Sequence, residues 1–314
     1  MNKISIIGTG SVGSTIAYTL TVMGIASEIV MIDINNEKAL GEALDIRQGT
    51  PFCSNCMIYA GDYRDAVDSD IVILTSGVAR KPGQTRLELA QTNVNITKSI
   101  IPEITKYAPD ATYIIVSNPV DILTYTFCKY SGIPENRIIG SGTILDTARL
   151  RSRLSEYYNI SQSNVHAYVF GEHGDSSFIP WSVANISNVP ISECNSLITT
   201  GGIKAPELDP AEIEQYVRKS GGRVIARKGA TFYAVSISVC HICKCLLGGI
   251  DTTMTVSTMM HGEYGINDVC LSTLNLVGNK CLRGKVNVML TDEEIAKLHK
   301  SEATLKEVIK SLDL

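Results

Sequence analysis

The chain has 314 residues, 44% of them hydrophobic and 19% charged, with a formal net charge of −4. That length suggests about two domains with sizeable cores, and the mild acidity excludes bulk attraction to nucleic acid or an anionic membrane. No apolar run reaches the roughly 18 residues of a membrane span, and the run from Met1 to Gly8 is too short for a signal peptide, so a cytoplasmic protein with reduced thiols is expected.

Ile4-Ser-Ile-Ile7 reads as a buried strand, Gly8-Thr-Gly-Ser-Val-Gly13 as a turn, Ser14 to Met23 as a helix and Glu28 to Asp33 as the next strand. A glycine pattern of this spacing is weak alone, but here it follows a strand and opens a helix. In that setting Gly8 permits the tight turn, Gly10 lets backbone approach a pyrophosphate, and Gly13 allows close helix–strand packing. The helix N-terminus then faces the phosphates. Asp33 ends the second strand, where a carboxylate accepts bonds from ribose hydroxyls and repels a 2′-phosphate. Ile34-Asn35-Asn36 offers no arginine to that phosphate, so NAD is expected rather than NADP.

Asp70 to Thr75, Thr112 to Ser117 and Arg137 to Gly140 are further apolar strands alternating with helical stretches. Such an alternation predicts a doubly wound parallel sheet of Rossmann type over residues 1–141. A mixed α+β substrate domain is expected over 142–314. Its elements are a helix from Leu145 to Tyr158, strand-like Val165 to Phe170 and Ser177 to Ile186, and a loop over 198–210. A long helical region follows from Ala211 to Leu247, interrupted near Gly221-Gly222. Antiparallel strands are expected near 254–260, 268–277 and 284–290, and Thr291-Asp-Glu-Glu294 is a capping box opening a last helix to about Leu312.

Three segments carry chemistry. Val169-Phe-Gly-Glu-His-Gly-Asp175 sets His173 between two carboxylates, and a histidine near acids can move a proton close to neutral pH. Gly77 to Arg86 follows a strand at its carboxyl end. Arg80 and Arg86, with no acid between them, suit an anionic substrate, and Arg86 could polarise a carbonyl; a solvated basic loop is the plainer reading. Asp146 and Arg149 are three apart and share a helix face. Asp146 could hold the tautomer of His173, and Arg149 offers a planar fork for a carboxylate; a surface ion pair is the alternative. The nine cysteines include Cys53-x-x-Cys56 and the group Cys240, Cys243 and Cys245 beside His241, but no ligand spacing repeats, so no metal site is expected.

Taken together, Gly8–Gly13, Asp33, Lys81–Arg86, Ser117-Asn-Pro-Val-Asp121, Asp146–Arg149 and Gly171–Asp175 resemble the lactate/malate dehydrogenase family over nearly the whole chain. Gly140-Ser-Gly-Thr143 and Lys228-Gly-Ala-Thr231 look more like bacterial L-lactate enzymes. The resemblance implies NADH-dependent, reversible reduction of pyruvate to L-lactate. His173 would be the proton donor and acceptor with Asp146 its partner, Arg149 would bind the substrate carboxylate, and Arg86 would act from a closing loop. Asn118 would orient the substrate and Thr231 would line its pocket. The cofactor would touch Gly8, Gly10, Val12, Gly13, Asp33, Lys38, Tyr63, Gly77, Ser99, Ser117 and Asn118. Arg80 departs from the lactate pattern, standing where malate enzymes carry arginine, so malate or a broader L-2-hydroxy acid remains open, as does a non-catalytic NAD-binding protein. The resemblance further implies a homotetramer with Arg151 and His166 binding fructose 1,6-bisphosphate between subunits.

Overall fold

The computed structural model describes residues 2–78, 83, 85–197, 199–200, 203–204 and 207–314, with the side chains of 196, 197, 199, 200, 203 and 204 left aside. Arg80 therefore lies outside the described residues. The first half alternates β1 (Lys3–Ile7), α1 (Ser11–Val22), β2 (Glu28–Ile32), α2 (Asn36–Gly49), β3 (Met57–Ala60), β4 (Ile71–Leu74), α3 (Arg86–Thr105), β5 (Thr112–Ile115), α4 (Val120–Tyr130) and β6 (Ile138–Gly140). These six strands are parallel in the order 3-2-1-4-5-6, the doubly wound arrangement. Ile4, Ile6, Ile71, Ile73 and Ile114 are buried on one face, and Val30, Val72, Tyr113 and Ile115 on the other. Alternate side chains thus feed two cores, which is why these strands read as continuous apolar runs.

The second half comprises α5 (Ile144–Tyr158), β7 (Val165–His166), β8 (Asn185–Ile186), β9 (Val189–Pro190), α6 (Cys194–Leu197), β10 (Thr199–Thr200), β11 (Ile203–Lys204), α7 (Pro210–Lys228), α8 (Tyr233–Leu247), β12 (Thr252–His261), β13 (Asn267–Gly278), β14 (Cys281–Lys285) and α9 (Asp292–Ser311). It builds two small sheets of its own, β7-β8-β9 and β10-β11, but its long strands join the first half. β12 pairs antiparallel with β6 at Ser257 and Gly140, and β13 and β14 follow, so one nine-stranded sheet crosses the predicted boundary.

Several local expectations change. Of the two strand-like stretches, only Val165–His166 and Asn185–Ile186 are strands. Phe170 and Phe178 form a single bridge, and Trp181–Val183 is a 3-10 turn that follows Pro180. A short hairpin, β10–β11, lies inside the predicted loop 198–210. The last strand is 281–285 rather than 284–290. Helix α7 runs unbroken through Gly221-Gly222 and ends instead at Gly229, whose φ of 82° suits the residue after a helix. The Thr291 capping box forms as expected, and Glu294 also accepts from the Ser182 hydroxyl at 2.5 Å. A second box at Thr85 and Glu88 makes Arg86 the first residue of α3 rather than a loop residue.

Candidate active site

The carboxyl ends of β1, β4 and β5 meet the start of α5 and the flank of α7 around a cavity of about 510 Å³. Val12, Gly77, Ser117, Asn118, Arg149, His173 and Thr231 all line it, so the structure brings together residues scattered over two hundred positions of chain.

His173 follows the Phe170 bridge. Its sequence neighbours are not its partners: Glu172 accepts from the Ser176 hydroxyl, and Asp175 pairs with Arg86 at 2.5 Å. Asp146, on the first turn of α5, accepts instead from Nδ1 at 2.6 Å. Nδ1 therefore carries the proton in the neutral ring, and Nε2 is the nitrogen left for a ligand. Burial pulls the His173 pKa down, but the Asp146 charge and hydrogen bond, with Asp121 behind, override it and raise the value to about 9. Asp146 is itself buried. Its carboxyl is held below the ordinary range because His173 and Arg149 outweigh the burial that opposes ionisation.

Arg149 donates from Nη1 to Asp146 at 2.9 Å, one turn along α5. The rest of its guanidinium faces Gly221, where an added Cβ would stand 3.5 Å from Nη2. The glycine pair that reads as a helix break is thus a gap in an intact helix, and it uncovers the arginine. Each glycine costs a helix about 0.5–1 kcal/mol relative to alanine, which makes the opening a feature with a use.

At the nucleotide end, Gly8 has φ +98°, and a Cβ on Gly13 would lie 1.9 Å from the Gly8 carbonyl oxygen, so neither accepts a side chain. Nothing lies within 4 Å of a Cβ on Gly10, and α1 has no side-chain cap or first-turn acid. Its N–H groups are free for phosphate oxygens. Asp33 accepts from the Thr9 and Asn35 amides at 2.6 and 2.9 Å. Burial opposes its ionisation, but those amides, the Thr9 hydroxyl and Lys38 keep its pKa lowered, so it is charged toward a ribose. Donor-rich glycine turn and terminal carboxylate fit an NAD adenosine diphosphate.

The family models for the lactate/malate dehydrogenase NAD-binding domain and the lactate/malate dehydrogenase α/β C-terminal domain match residues 2–140 and 143–313. The chain belongs to the lactate/malate dehydrogenase family. L-lactate dehydrogenase of Acetivibrio thermocellus is 45% identical, covering 100% of this chain and 98% of that protein. That of Thermoanaerobacterium saccharolyticum is 43% identical, covering both chains fully at 100%. The crystal structure of the minor L-lactate dehydrogenase from Enterococcus mundtii superposes with a TM-score of 0.94 at 37% identity, covering 100% of this chain and 99% of that one. The chain is accordingly an NAD-dependent oxidoreductase acting on 2-hydroxy acids.

Not every residue expected of this dehydrogenase reaches the cavity. Arg86 is exposed and held by Asp175 outside the lining. Lys38 and Tyr63 are absent from the cavity lining and lie within electrostatic range of Asp33. Ser99 is exposed on α3 and donates to the Ile96 carbonyl at 2.7 Å, away from the lining. Arg151 turns from the cavity to donate to the Ala167 carbonyl at 3.2 Å, next to exposed His166.

Sequence reasoning overlooked Asn93. It is buried on α3, accepts from the Val78 amide at 2.9 Å and donates to the Asn118 carbonyl at 2.7 Å, tying the segment after β4 to the Asn118 turn. A polar residue on the apolar face between Ala90, Val94 and Thr97 is the signal that marks it.

Proposed function

We propose that this dehydrogenase interconverts pyruvate and L-lactate with NAD(H). The observation that carries the reading is the charge of the cavity: among its described lining residues, Arg149 is the only lysine or arginine and no carboxylate is present. One fixed cation matches one substrate carboxylate. NAD(H), when bound, gives or takes the hydride. Arg149 grips the carboxylate with the face left open by Gly221, while Asp146 fixes the other side of the guanidinium. His173, cationic below about pH 9, gives the Nε2 proton to the substrate oxygen during reduction and takes it back during oxidation. Asp146 holds the Nδ1 proton in both directions and stabilises the imidazolium. Asn118 and Thr231 orient and enclose the substrate, and Arg86 exchanges its exposed Asp175 partner for the developing oxyanion. Residues 1–141 serve the nucleotide and lend Arg86 and Asn118 to the substrate, while 142–314 supply Asp146, Arg149, His173 and Thr231.

Arg80 favours a second reading, malate or a broader 2-hydroxy acid, because a second arginine would pair with the distal carboxylate of oxaloacetate for about 1.5–3 kcal/mol. The ratio of kcat/KM for pyruvate and oxaloacetate decides. Pyruvate is expected to win; a tenfold preference for oxaloacetate overturns the lactate assignment. His173→Asn should lose most turnover while still binding NADH.

We further propose a cytoplasmic homotetramer in which Arg151 and His166, repeated across a two-fold axis, hold fructose 1,6-bisphosphate. The adjacency of Arg151 to the His166 strand supports this. A pyruvate saturation curve unchanged by millimolar fructose 1,6-bisphosphate, with no heat of binding, removes it.

A further inference from the structure

Asp121, whose charge adds to that of Asp146 on His173, is a buried carboxylate beside the cavity. It sits in the first turn of α4 and is 3% exposed. One oxygen accepts from the His173 backbone N–H at 2.7 Å, and the other accepts from the Ser257 hydroxyl at 2.5 Å. These bonds join α4, the His173 loop and β12 at one point.

We propose that Asp121 is a positioning residue for proton transfer: it anchors His173 by its main chain and places a second negative charge behind the imidazolium, opposite Asp146. The inference rests on the dehydrogenase reading for its use, though not for its test.

An asparagine would satisfy the same two partners. Its amide oxygen would accept from His173, and its NH₂ would donate to Ser257, whose hydroxyl oxygen can accept as readily as donate. Burying a carboxylate costs far more than burying that amide, so hydrogen bonding alone does not call for aspartate. Burial does push its pKa up, to about 6, against the Ser257 and His173 bonds and with Glu172 adding to the rise. It is therefore charged at neutral pH. The groups that face His173 are Asp146 and Arg149 from α5 and Asp121 from α4. Those that face Asp121 are His173, Glu172 and, on β13, the Cys270 thiol, which burial first and Cys128 and Asp121 besides keep neutral. The cation available to balance Asp121 is the imidazolium.

The test is an NMR titration of His173 in the whole protein without substrate, one of five histidines, assigned by the signal missing from His173→Asn. In Asp121→Asn the His173 proton affinity should fall about tenfold, and the alkaline limb of kcat/KM for 2-oxo acid reduction should move down with it. Melting temperature should hold, because both hydrogen bonds survive. In Ser257→Ala the carboxylate loses a donor, so the acidic inflection that Asp121 imprints on the His173 signal should rise above pH 6. If Asp121→Asn does not fold, Ser257→Ala decides. A His173 titration unmoved in the variants that fold overturns the proposal. That result leaves the dehydrogenase reading intact, since pyruvate turnover and its loss in His173→Asn are scored separately.

Discussion

Asp146→Asn is the sharpest probe of the catalytic geometry. The side chain keeps its shape and its carbonyl can still accept from Nδ1, but its NH₂ then faces Arg149 Nη1, so the charge and the Arg149 bond are removed together. In the native protein Asp146 overcomes the burial that would otherwise lower the His173 pKa and holds it at about 9, against an ordinary 6.5. That gap corresponds to about 3 kcal/mol at 1.36 kcal/mol per pH unit. Without the charge, burial and Arg149 act downward against Asp121 alone, so the pKa should fall to about 6.5. At about pH 7.5 the protonated fraction then drops from nearly all to about a tenth, and kcat/KM for pyruvate reduction falls at least about tenfold from protonation alone. Much of that loss should return near pH 5.5, because the deficit is one of protonation. Stability follows the same linkage. A histidine with a raised native pKa contributes stability that is complete below about pH 6.5 and lost as pH rises through about 9. The native melting temperature should therefore decline over that interval, and the variant's should decline less. Pre-steady-state or steady-state kcat/KM from pH 5 to 10, with melting curves in the same buffers, is the assay. A variant whose pH profile matches the native one refutes the argument.

Other outcomes follow from the same geometry. Arg149→Lys keeps the charge but loses the fork; with charged hydrogen bonds worth about 1.5–3 kcal/mol, KM for pyruvate should rise by one to two orders of magnitude, as measured by initial rates. Gly221→Val places γ-carbons closer to Arg149 than the 3.5 Å contact of a Cβ, so KM should rise with little change in NADH affinity by fluorescence titration. Asp33→Ser removes the carboxylate that faces the ribose, and the NADPH/NADH ratio of kcat/KM should climb by at least tenfold. Asp175→Asn releases Arg86 from an exposed ion pair. Such pairs are worth about 0–1 kcal/mol, so kcat/KM should change by no more than about fivefold; a larger loss would show that Asp175 itself acts on substrate.

The parallel half of the fold was legible because its strands are buried on both faces, leaving runs such as Ile71–Leu74 that few other structures tolerate. The second half was less so. Phe170 and Phe178 look like members of strands, yet they meet in a single bridge, since periodicity registers which side chains are buried and not whether the backbone is paired. Gly221-Gly222 misled for a related reason: local propensity marks a break, while the surrounding packing holds the helix and uses the gap. In the site, His173, Asp146 and Arg149 were readable from residue type and spacing. Residue order points first to the adjacent Glu172 and Asp175 as carboxylates for His173, whereas Asp146, named as its possible partner from the helix pattern and the family resemblance, comes from 27 positions upstream.

The continuity of the sheet bears on how this enzyme can be taken apart. Although the chain matches two family models, β6 and β12 are neighbours in one sheet, joined at Gly140 and Ser257. The junction is tight: the Thr143 amide donates to the Ser272 hydroxyl at 3.0 Å, and a Cβ on Gly142 would collide with the Ser257 amide at 2.6 Å. A polypeptide severed between 141 and 142 would yield two fragments, each with a raw strand edge inviting self-association. The halves are thus not interchangeable cassettes. The His173 loop is itself tied into this lattice of backbone bonds, the Gly171 amide donating to the Ser272 carbonyl on β13 at 2.9 Å.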